Sequence, residues 1–482
     1  MIPSTIQRRS RSGMLFVPGM LLRAWAIMLT LAALALALVN LPYAPRTWFD
    51  EGSHLHVPKT LVEHGVYADT SATAGGETEY RYHGPTMGVG PTVMLPIALL
   101  FRLSEPGLLP GRLLIAAYAL LGLAACYALA RRMHGPGVAL LATTLLLASR
   151  TFSYEGYVEY GRQVLGEVPG TAFLLLGALA WVSALKAGER RMTDGGQLAA
   201  VEPGSSVIGH RSSVVLSGLG FGLALVTKHQ FVLIVPPALA LLALLDWRYY
   251  RAGSWALRLV PLGLACACFG AWTVLQFLFA GPGSFWENIQ TTRQAAGGAI
   301  FVFNLRSTLR AGYYLLRPDL YGGLLLPALA YTAWRARQCD ARGLAEALFA
   351  MLIGLWLVWY VGASLGWPRY AFPAVALGAV VVARALADLV GGLWRTRRAV
   401  AVAVGCYTAL AVAVPLALTT QLVLTPDDSA QRFATYMDAH VPRSALVATW
   451  EQELAVLTDH RYRYPPQQLL DQAVRHQWLG GP

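Results

Sequence analysis

The stretch Thr47–His56, with the sequence TWFDEGSHLH, places two carboxylates and two histidines directly after the first long apolar run. A carboxylate can act as a general base or bind a metal ion, and a neutral imidazole can do the same. Asp50 and Glu51 are therefore candidate catalytic residues, and Asp50 and His54 are candidate metal ligands. A structural role stays open for the two acids, because carboxylates also stabilise the first turn of a helix.

Other polar side chains suited to chemistry stand at the ends of apolar runs. Ionisable groups near membrane depth are costly and usually serve a function. Glu167 is the clearest case, since an unbroken apolar run follows it. Lys228 and Arg369 could equally be snorkelling anchors, and Glu159 could belong to a solvated loop. Beyond Asp50, Glu51 and His54, the full set is His56, Lys59, Tyr80, Arg81, Tyr82, His83, Glu155, Glu159, Arg162, Glu167, Lys228, Arg369 and Tyr370.

Together these groups suit a substrate that is part lipid and part polar head. A lysine and an arginine at a membrane rim can hold a phosphate, and the arginine can do so through two parallel hydrogen bonds. A carboxylate beside that phosphate can accept the proton of an attacking group. The pattern predicts a polar cavity next to apolar helices.

The composition indicates that a membrane positions these residues. The chain has 482 residues, of which 56% are hydrophobic and 13% are charged, against roughly 25% charged in a soluble domain. The net charge of +12 lies in short loops between apolar runs, an arrangement that sets membrane orientation. No basic patch alternates with aromatic residues, which argues against nucleic acid. The five cysteines fall in apolar runs or an inner loop, so we expect no disulfide framework.

We predict eleven transmembrane helices with the N-terminus inside, because Arg8, Arg9 and Arg11 precede the first, uncleaved span. The proline-interrupted run 88–103 is predicted to be a juxtamembrane helix within a first outer loop at about 42–111. A second outer loop, polar and aromatic, is predicted at about 281–319. The predicted spans are residues 20–39, 112–130, 138–148, 168–185, 214–226, 231–245, 259–280, 320–334, 344–361, 370–393 and 399–422.

The end of the chain is the one stretch that reads as soluble. Residues 1–422 form the predicted transmembrane domain, and residues 423–482 form a small α/β appendage on the outer side. In this appendage SAQRFATYMDAHVP has helical spacing, SALVATW has strand composition, and EQELAVLTDH is helical up to YRYPP.

Five segments resemble, in the same order, those of the protein O-mannosyltransferase and lipid A aminoarabinose transferase group. They are WFDEGSHLH, YRYHGP, GRQVLGEVPGTAF, GLALVTKHQ and GWPRYAFPA, within residues 48–373. The resemblance implies an all-α polytopic membrane protein of the GT-C type, with about eleven transmembrane helices. It also implies a glycosyltransferase that moves a sugar from a polyprenyl-phosphate carrier to an acceptor hydroxyl at the outer membrane face, with inversion at the anomeric carbon.

The resemblance distributes roles among the candidate residues. Asp50 would be the catalytic base, with Glu51 beside it. The donor phosphate would be bound by Lys228, Arg369 and Arg162. The substrate contacts would be Glu167, His83, Tyr82, Tyr370 and Glu159. Two departures leave the sugar and the acceptor open: Glu167 stands where aspartate is usual in the aminoarabinose branch, and His83 stands where lysine is common.

The implied partners are a polyprenyl-phosphate sugar, a lipid, glycan or protein acceptor, and membrane lipids. The implied location is the inner membrane, with the C-terminus and the active site on its outer side. No cofactor is firmly implied, and a divalent metal ion stays an alternative. The competing class is a lipid or lipid-linked-sugar transporter or flippase, although transporters place their charges near the midplane, often with repeats. A receptor-like binding protein would leave the acids after the first span unexplained.

Overall fold

Long apolar helices dominate the computed structural model, which describes residues 19–82, 88–194 and 205–480. Arg8, Arg9, Arg11 and His83 lie outside these residues. Eight of the described helices are long and apolar enough to cross a membrane, so the chain is a multi-pass membrane protein. They are α1 (Gly19–Leu38), α4 (Leu108–His134), α7 (Glu167–Asp194), α9 (Gln230–Leu245), α10 (Trp255–Ala299), α13 (Ala341–Ala363), α14 (Pro368–Thr396) and α15 (Arg398–Leu424).

Each of the eleven predicted spans falls on a helix, because uninterrupted apolar runs favour helices in which every backbone group is paired. The three additional helices are α5 (Pro136–Leu147), α8 (Ser205–Thr227) and α12 (Leu325–Arg335). With 12 and 11 residues, α5 and α12 are shorter than a membrane crossing requires. The all-α membrane architecture is confirmed, and the number of crossings stays a prediction.

The region after α1 contains a helix, a two-stranded hairpin and a second helix. Here α2 (Phe49–His64) is followed by a hairpin of β1 (Asp69–Ala72) and β2 (Thr78–Arg81), whose strands pair antiparallel. The region predicted as a juxtamembrane helix, 88–103, contains α3 (Pro91–Leu103), with a proline in its first turn. Its position relative to the membrane stays a prediction. A short α6 (Tyr157–Tyr160) precedes α7.

The segment predicted as an irregular loop at 281–319 is largely helical. A break at Gly281, with φ of 77°, separates the apolar part of α10 from a second part that continues to Ala299. Then α11 (Leu305–Leu315) follows, with the Asn304 side chain accepting a hydrogen bond from the Arg306 backbone nitrogen. The polar and apolar residues of α11 recur with the period of a helix. In the sequence, the polar composition of the whole segment outweighs this signal.

The tail is the small α/β unit that the composition predicts. It contains α16 (Ser429–His440), β3 (Leu446–Ala448), α17 (Leu454–Leu457), β4 (Arg461–Arg463) and α18 (Gln467–Leu479). The strands β3 and β4 pair in parallel, so YRYPP contributes a strand rather than only ending a helix. The final helix α18 was not anticipated from the sequence.

The tail packs against α2. A Cβ atom on Gly52 would lie 2.1 Å from the backbone nitrogen of Glu453, so glycine is required at this contact. Lys59 Nζ donates to the Ala455 carbonyl at 2.9 Å and to Asp459 Oδ1 at 3.0 Å. These contacts fix one side of α2 to the end of the chain. All five cysteines are free, as expected.

Candidate active site

One face of α2 lines a cavity. Phe49, Asp50, Ser53 and His54 all border it, as residues one helical turn apart share a face. Asp50 lies in the first turn, where the helix dipole favours a carboxylate. Its side chain keeps 21% exposure, whereas the neighbouring Glu51 side chain has none. Of the two adjacent acids, only Asp50 therefore lines the cavity.

Asp50 forms an ion pair with Arg369, the second residue of α14. Pro368 occupies the first helical position, which suits proline because its missing N–H would be unpaired there. Burial alone would raise the pKa of Asp50, but the charge and hydrogen bond of Arg369, with smaller effects of His54 and Lys228, lower it below its ordinary value. Asp50 is thus held as a carboxylate at the cavity wall.

Lys228 reaches the same wall from the turn between α8 and α9. Val89 forms an antiparallel bridge with Lys228, and the Gly90 nitrogen donates to the Thr227 carbonyl at 2.9 Å. A Cβ atom on Gly90 would lie 1.7 Å from the Val226 carbonyl oxygen, so glycine lets the two segments meet. The segment before α3 thereby sets the position of the lysine.

Glu167 lies close to both cations, Lys228 and Arg369. It lies at the start of α7 with a fully buried side chain and pairs with Lys228. The same oxygen, Oε1, is 3.7 Å from Arg369 Nε. A shared carboxylate reduces the repulsion between two cations held side by side. Within the described residues, Glu167 Oε2 and Arg369 Nε are buried and have no hydrogen-bond partner.

The cavity measures about 270 Å³ and receives residues from distant parts of the chain. Arg81 and Asp69, paired at 2.7 Å between Nη2 and Oδ2, form part of its wall. The sequence did not single out Asp69, and the resemblance gives no role to Arg81, although Arg81 lies in the YRYHGP segment. The other contributors beyond α2 are Gly88, Val89, Lys228, His229, Gln230, Ile300, Arg369, Tyr370, Gln452 and Leu470. Gln452 and Leu470 come from the tail, whose involvement has no signal in the sequence.

Glu51 faces the core instead of the cavity. Its two oxygens accept hydrogen bonds from Arg112 Nε and Nη2, both at 2.7 Å, and both side chains are fully buried. The Val164 nitrogen also donates to Glu51, at 3.2 Å. This arrangement fastens α2 to α4 and to the segment before α7. Gly111 permits the close approach, as a Cβ atom there would lie 2.5 Å from Leu55 Cδ2.

Arg162 and Glu159 also lie away from the cavity. Arg162 is buried and donates to the carbonyls of Leu36, Val39 and Ala44 at 2.5–2.8 Å, which satisfies the unpaired carbonyls at the end of α1. Glu159 pairs with Arg150 and accepts from the Gly156 nitrogen at 2.9 Å. The geometry gives both residues supporting positions in the fold.

The aromatic candidates divide between the cavity and its edge. Tyr370 borders the cavity and stacks on Trp359, with ring centroids 5.8 Å apart. Tyr82 follows β2 and does not border the cavity, and His83 lies outside the described residues. Trp48 and Trp367, which the sequence did not single out, enclose the Arg369 guanidinium, whose carbon lies 5.3 Å and 4.1 Å from their ring centroids.

His54 is the second titratable group that α2 presents to the cavity. Its Nδ1 donates to the Val164 carbonyl at 2.7 Å, because a carbonyl can only accept. Burial lowers the pKa of His54 despite the opposing charge of Asp50, so its neutral form leaves Nε2 unprotonated. No group of three His, Cys, Asp or Glu side chains within the described ranges is arranged to hold a metal ion. The two candidate metal ligands, Asp50 and His54, are near each other without a third.

Comparison of the sequence with protein-family models and with curated proteins gives no match. The structure does match solved structures. ArnT from Cupriavidus metallidurans in the apo state superimposes with a TM-score of 0.62 and 15% identity, over 95% of this chain and 89% of that chain. The same protein bound to undecaprenyl phosphate gives a TM-score of 0.60, 16% identity and the same coverage. The archaeal oligosaccharyltransferase AglB from Archaeoglobus fulgidus, in complex with an inhibitory peptide and a dolichol-phosphate, gives 0.60 and 13% identity, over 95% and 68%.

These likenesses identify the architecture as the GT-C fold. Their low sequence identity means that the likeness concerns the fold. The chain is a multi-pass membrane protein of this fold, and its cavity is lined by two aspartates, two arginines and a lysine.

Proposed function

We propose that this protein is a glycosyltransferase that takes a sugar from a polyprenyl-phosphate carrier and transfers it to an acceptor hydroxyl. The observation that carries the proposal is the convergence of Asp50, Lys228 and Arg369 on one cavity from three distant segments. The comparison structures hold undecaprenyl phosphate in ArnT and a dolichol-phosphate in AglB, which supports a lipid-phosphate donor for this chain.

In the proposed reaction the acceptor oxygen attacks the anomeric carbon while the bond from that carbon to the phosphate oxygen breaks. The acceptor proton passes to Asp50, which is ionised and partly exposed to the cavity. The phosphate leaves with the bonding electron pair, and Lys228 and Arg369 stabilise the charge that develops on it. A single displacement inverts the configuration at the anomeric carbon.

Asp50 is the proposed catalytic residue, and Glu51 positions the helix that carries it. Lys228 and Arg369 are the proposed phosphate ligands, since both are cations that border the cavity. Glu167 and Tyr370 are proposed to contact the substrate or to hold these ligands. The proposed location is the inner membrane, with the cavity and the tail on the outer side, as the basic loops indicate.

The proposal is tested with the purified protein and a labelled polyprenyl-phosphate sugar. The expected result is release of polyprenyl phosphate with transfer of the label to an added acceptor extract, and loss of both in Asp50→Asn. A flippase would instead move the intact lipid between leaflets of a vesicle without releasing phosphate. Movement without release would therefore overturn the transferase assignment.

A further inference from the structure

The final helix carries a tryptophan that packs next to the proposed phosphate ligand. The Trp478 and Trp367 rings lie 5.4 Å apart, centroid to centroid, at 31°. Trp367 immediately precedes α14 and covers one side of the Arg369 guanidinium at 4.1 Å. Trp48, which immediately precedes α2, lies on the same guanidinium at 5.3 Å.

A second arginine completes the stack at its far end. The Arg310 guanidinium lies 4.6 Å from the Trp478 ring centroid. Two arginines and three tryptophans therefore form one continuous series of contacts from the tail to the cavity. The series runs Arg310, Trp478, Trp367, Arg369, Trp48.

Trp478 is fixed through its backbone as well as its ring. Arg310 Nη2 donates to the Trp478 carbonyl at 2.8 Å, and Arg310 Nη1 donates to the Leu365 carbonyl at 3.3 Å. One guanidinium therefore joins the end of α18 to the segment just before α14. The tail is held at a defined place relative to Arg369.

We propose that Trp478 is a positioning residue for Arg369, so that the C-terminal helix takes part in binding the donor phosphate. The inference rests on the proposed function. Asp50 also orients Arg369, but an incoming phosphate competes with Asp50 for the same N–H groups. The Trp367 ring contacts the guanidinium without using its N–H groups, so it keeps Arg369 in place while the phosphate is bound. Trp478 packs against Trp367 in turn.

The test replaces Trp478 in the full-length protein. Trp478→Leu and Trp478→Met keep an apolar side chain and remove the aromatic face. We expect both to raise the donor KM, and the Kd for undecaprenyl phosphate, by about 3- to 10-fold, the range of one lost aromatic pair. We expect kcat to change less than about 2-fold, because the interaction is present before and during the reaction. Trp478→Phe should retain near wild-type values.

The matched control is Trp450→Leu, which removes another tail tryptophan, itself 42% exposed. It should leave the donor KM unchanged, which separates loss of a stack from general damage to the tail. Wild-type KM and Kd in both Trp478→Leu and Trp478→Met would overturn the proposal, as would a Trp478→Phe variant as weak as they are. Unchanged phosphate binding in Arg369→Ala would overturn the proposed function itself, and the inference with it.

Discussion

Asp50 and Arg369 stand 319 residues apart in sequence and form an ion pair on the wall of the cavity. The pair connects the proposed base to the proposed phosphate ligand. It keeps Asp50 ionised. The proposed base and the proposed phosphate ligand are therefore adjacent on one wall.

Replacing Asp50 by asparagine should stop turnover without removing donor binding. Asparagine keeps the shape and loses the basicity, so kcat should fall by at least about 100-fold, the lower end for a general base. The Kd for undecaprenyl phosphate should stay the same or decrease, because Asp50 no longer competes for Arg369. Turnover assays and a lipid-binding assay measure the two effects. Asp428→Asn, an exposed acid of the tail, is the control, and near-normal turnover in Asp50→Asn would reject the base.

The pH dependence of kcat should show no decrease near neutral pH from protonation of Asp50. The pKa of Asp50 is lowered, and the ordinary value is about 3.9. Ionised Asp50 therefore stabilises the fold above that ordinary value, and this contribution disappears as the pH falls through the lowered folded pKa. We expect kcat to be level between about pH 5 and pH 7. An acidic limb within this range that disappears in His54→Gln would instead identify His54 as the base.

The two cations should differ in how they tolerate substitution. Arg369→Lys keeps the charge but loses the planar fork, so donor binding should weaken by about 10-fold, corresponding to roughly 1.4 kcal/mol. Lys228→Ala should weaken it as well and free Glu167. Arg384→Lys is the control, since Arg384 pairs with Asp388 one turn away on α14. Wild-type donor binding in both Lys228→Ala and Arg369→Ala would exclude the phosphate assignment.

Glu51→Gln should lower the stability of the protein strongly and should affect its turnover less. The change leaves the Arg112 charge fully buried without its partner, which typically costs about 3–5 kcal/mol. Thermal unfolding in detergent should show a large decrease in Tm for Glu51→Gln and a small one for Asp50→Asn. A Glu51→Gln protein of normal stability with a 100-fold lower kcat would show that Glu51 acts in the reaction.

The orientation in the membrane can be tested by thiol labelling in intact cells. Glu287 and Thr435 are exposed in the regions predicted to lie outside, and cysteines placed there should react with a membrane-impermeant reagent. Native Cys339 is exposed in a basic loop predicted to lie inside and serves as the internal control. Protection of both new cysteines until lysis, with labelling of Cys339, would reverse the orientation.

The sequence predicts the positions of the helices better than it predicts which polar residues line the cavity. Apolar runs mark the helices because their length and composition are local properties. Asp50 and Glu51, by contrast, are adjacent and chemically alike, yet successive helical residues point about 100° apart. Which one faces the cavity depends on Arg112, 61 residues further on. Arg162 shows the same limit: its position in a polar segment resembles a ligand position, but its partners are the carbonyls at the end of α1.

The docking of the tail on α2 affects the order in which the protein matures during synthesis. The ribosome makes α2 directly after α1, whereas Glu453 and Ala455, which pack against that helix, are made only after α15. The long apolar helices among the described residues can therefore be inserted before α2 is clamped. On the proposed function, a chain ended by a premature stop codon after Leu424 should enter the membrane and lack transferase activity.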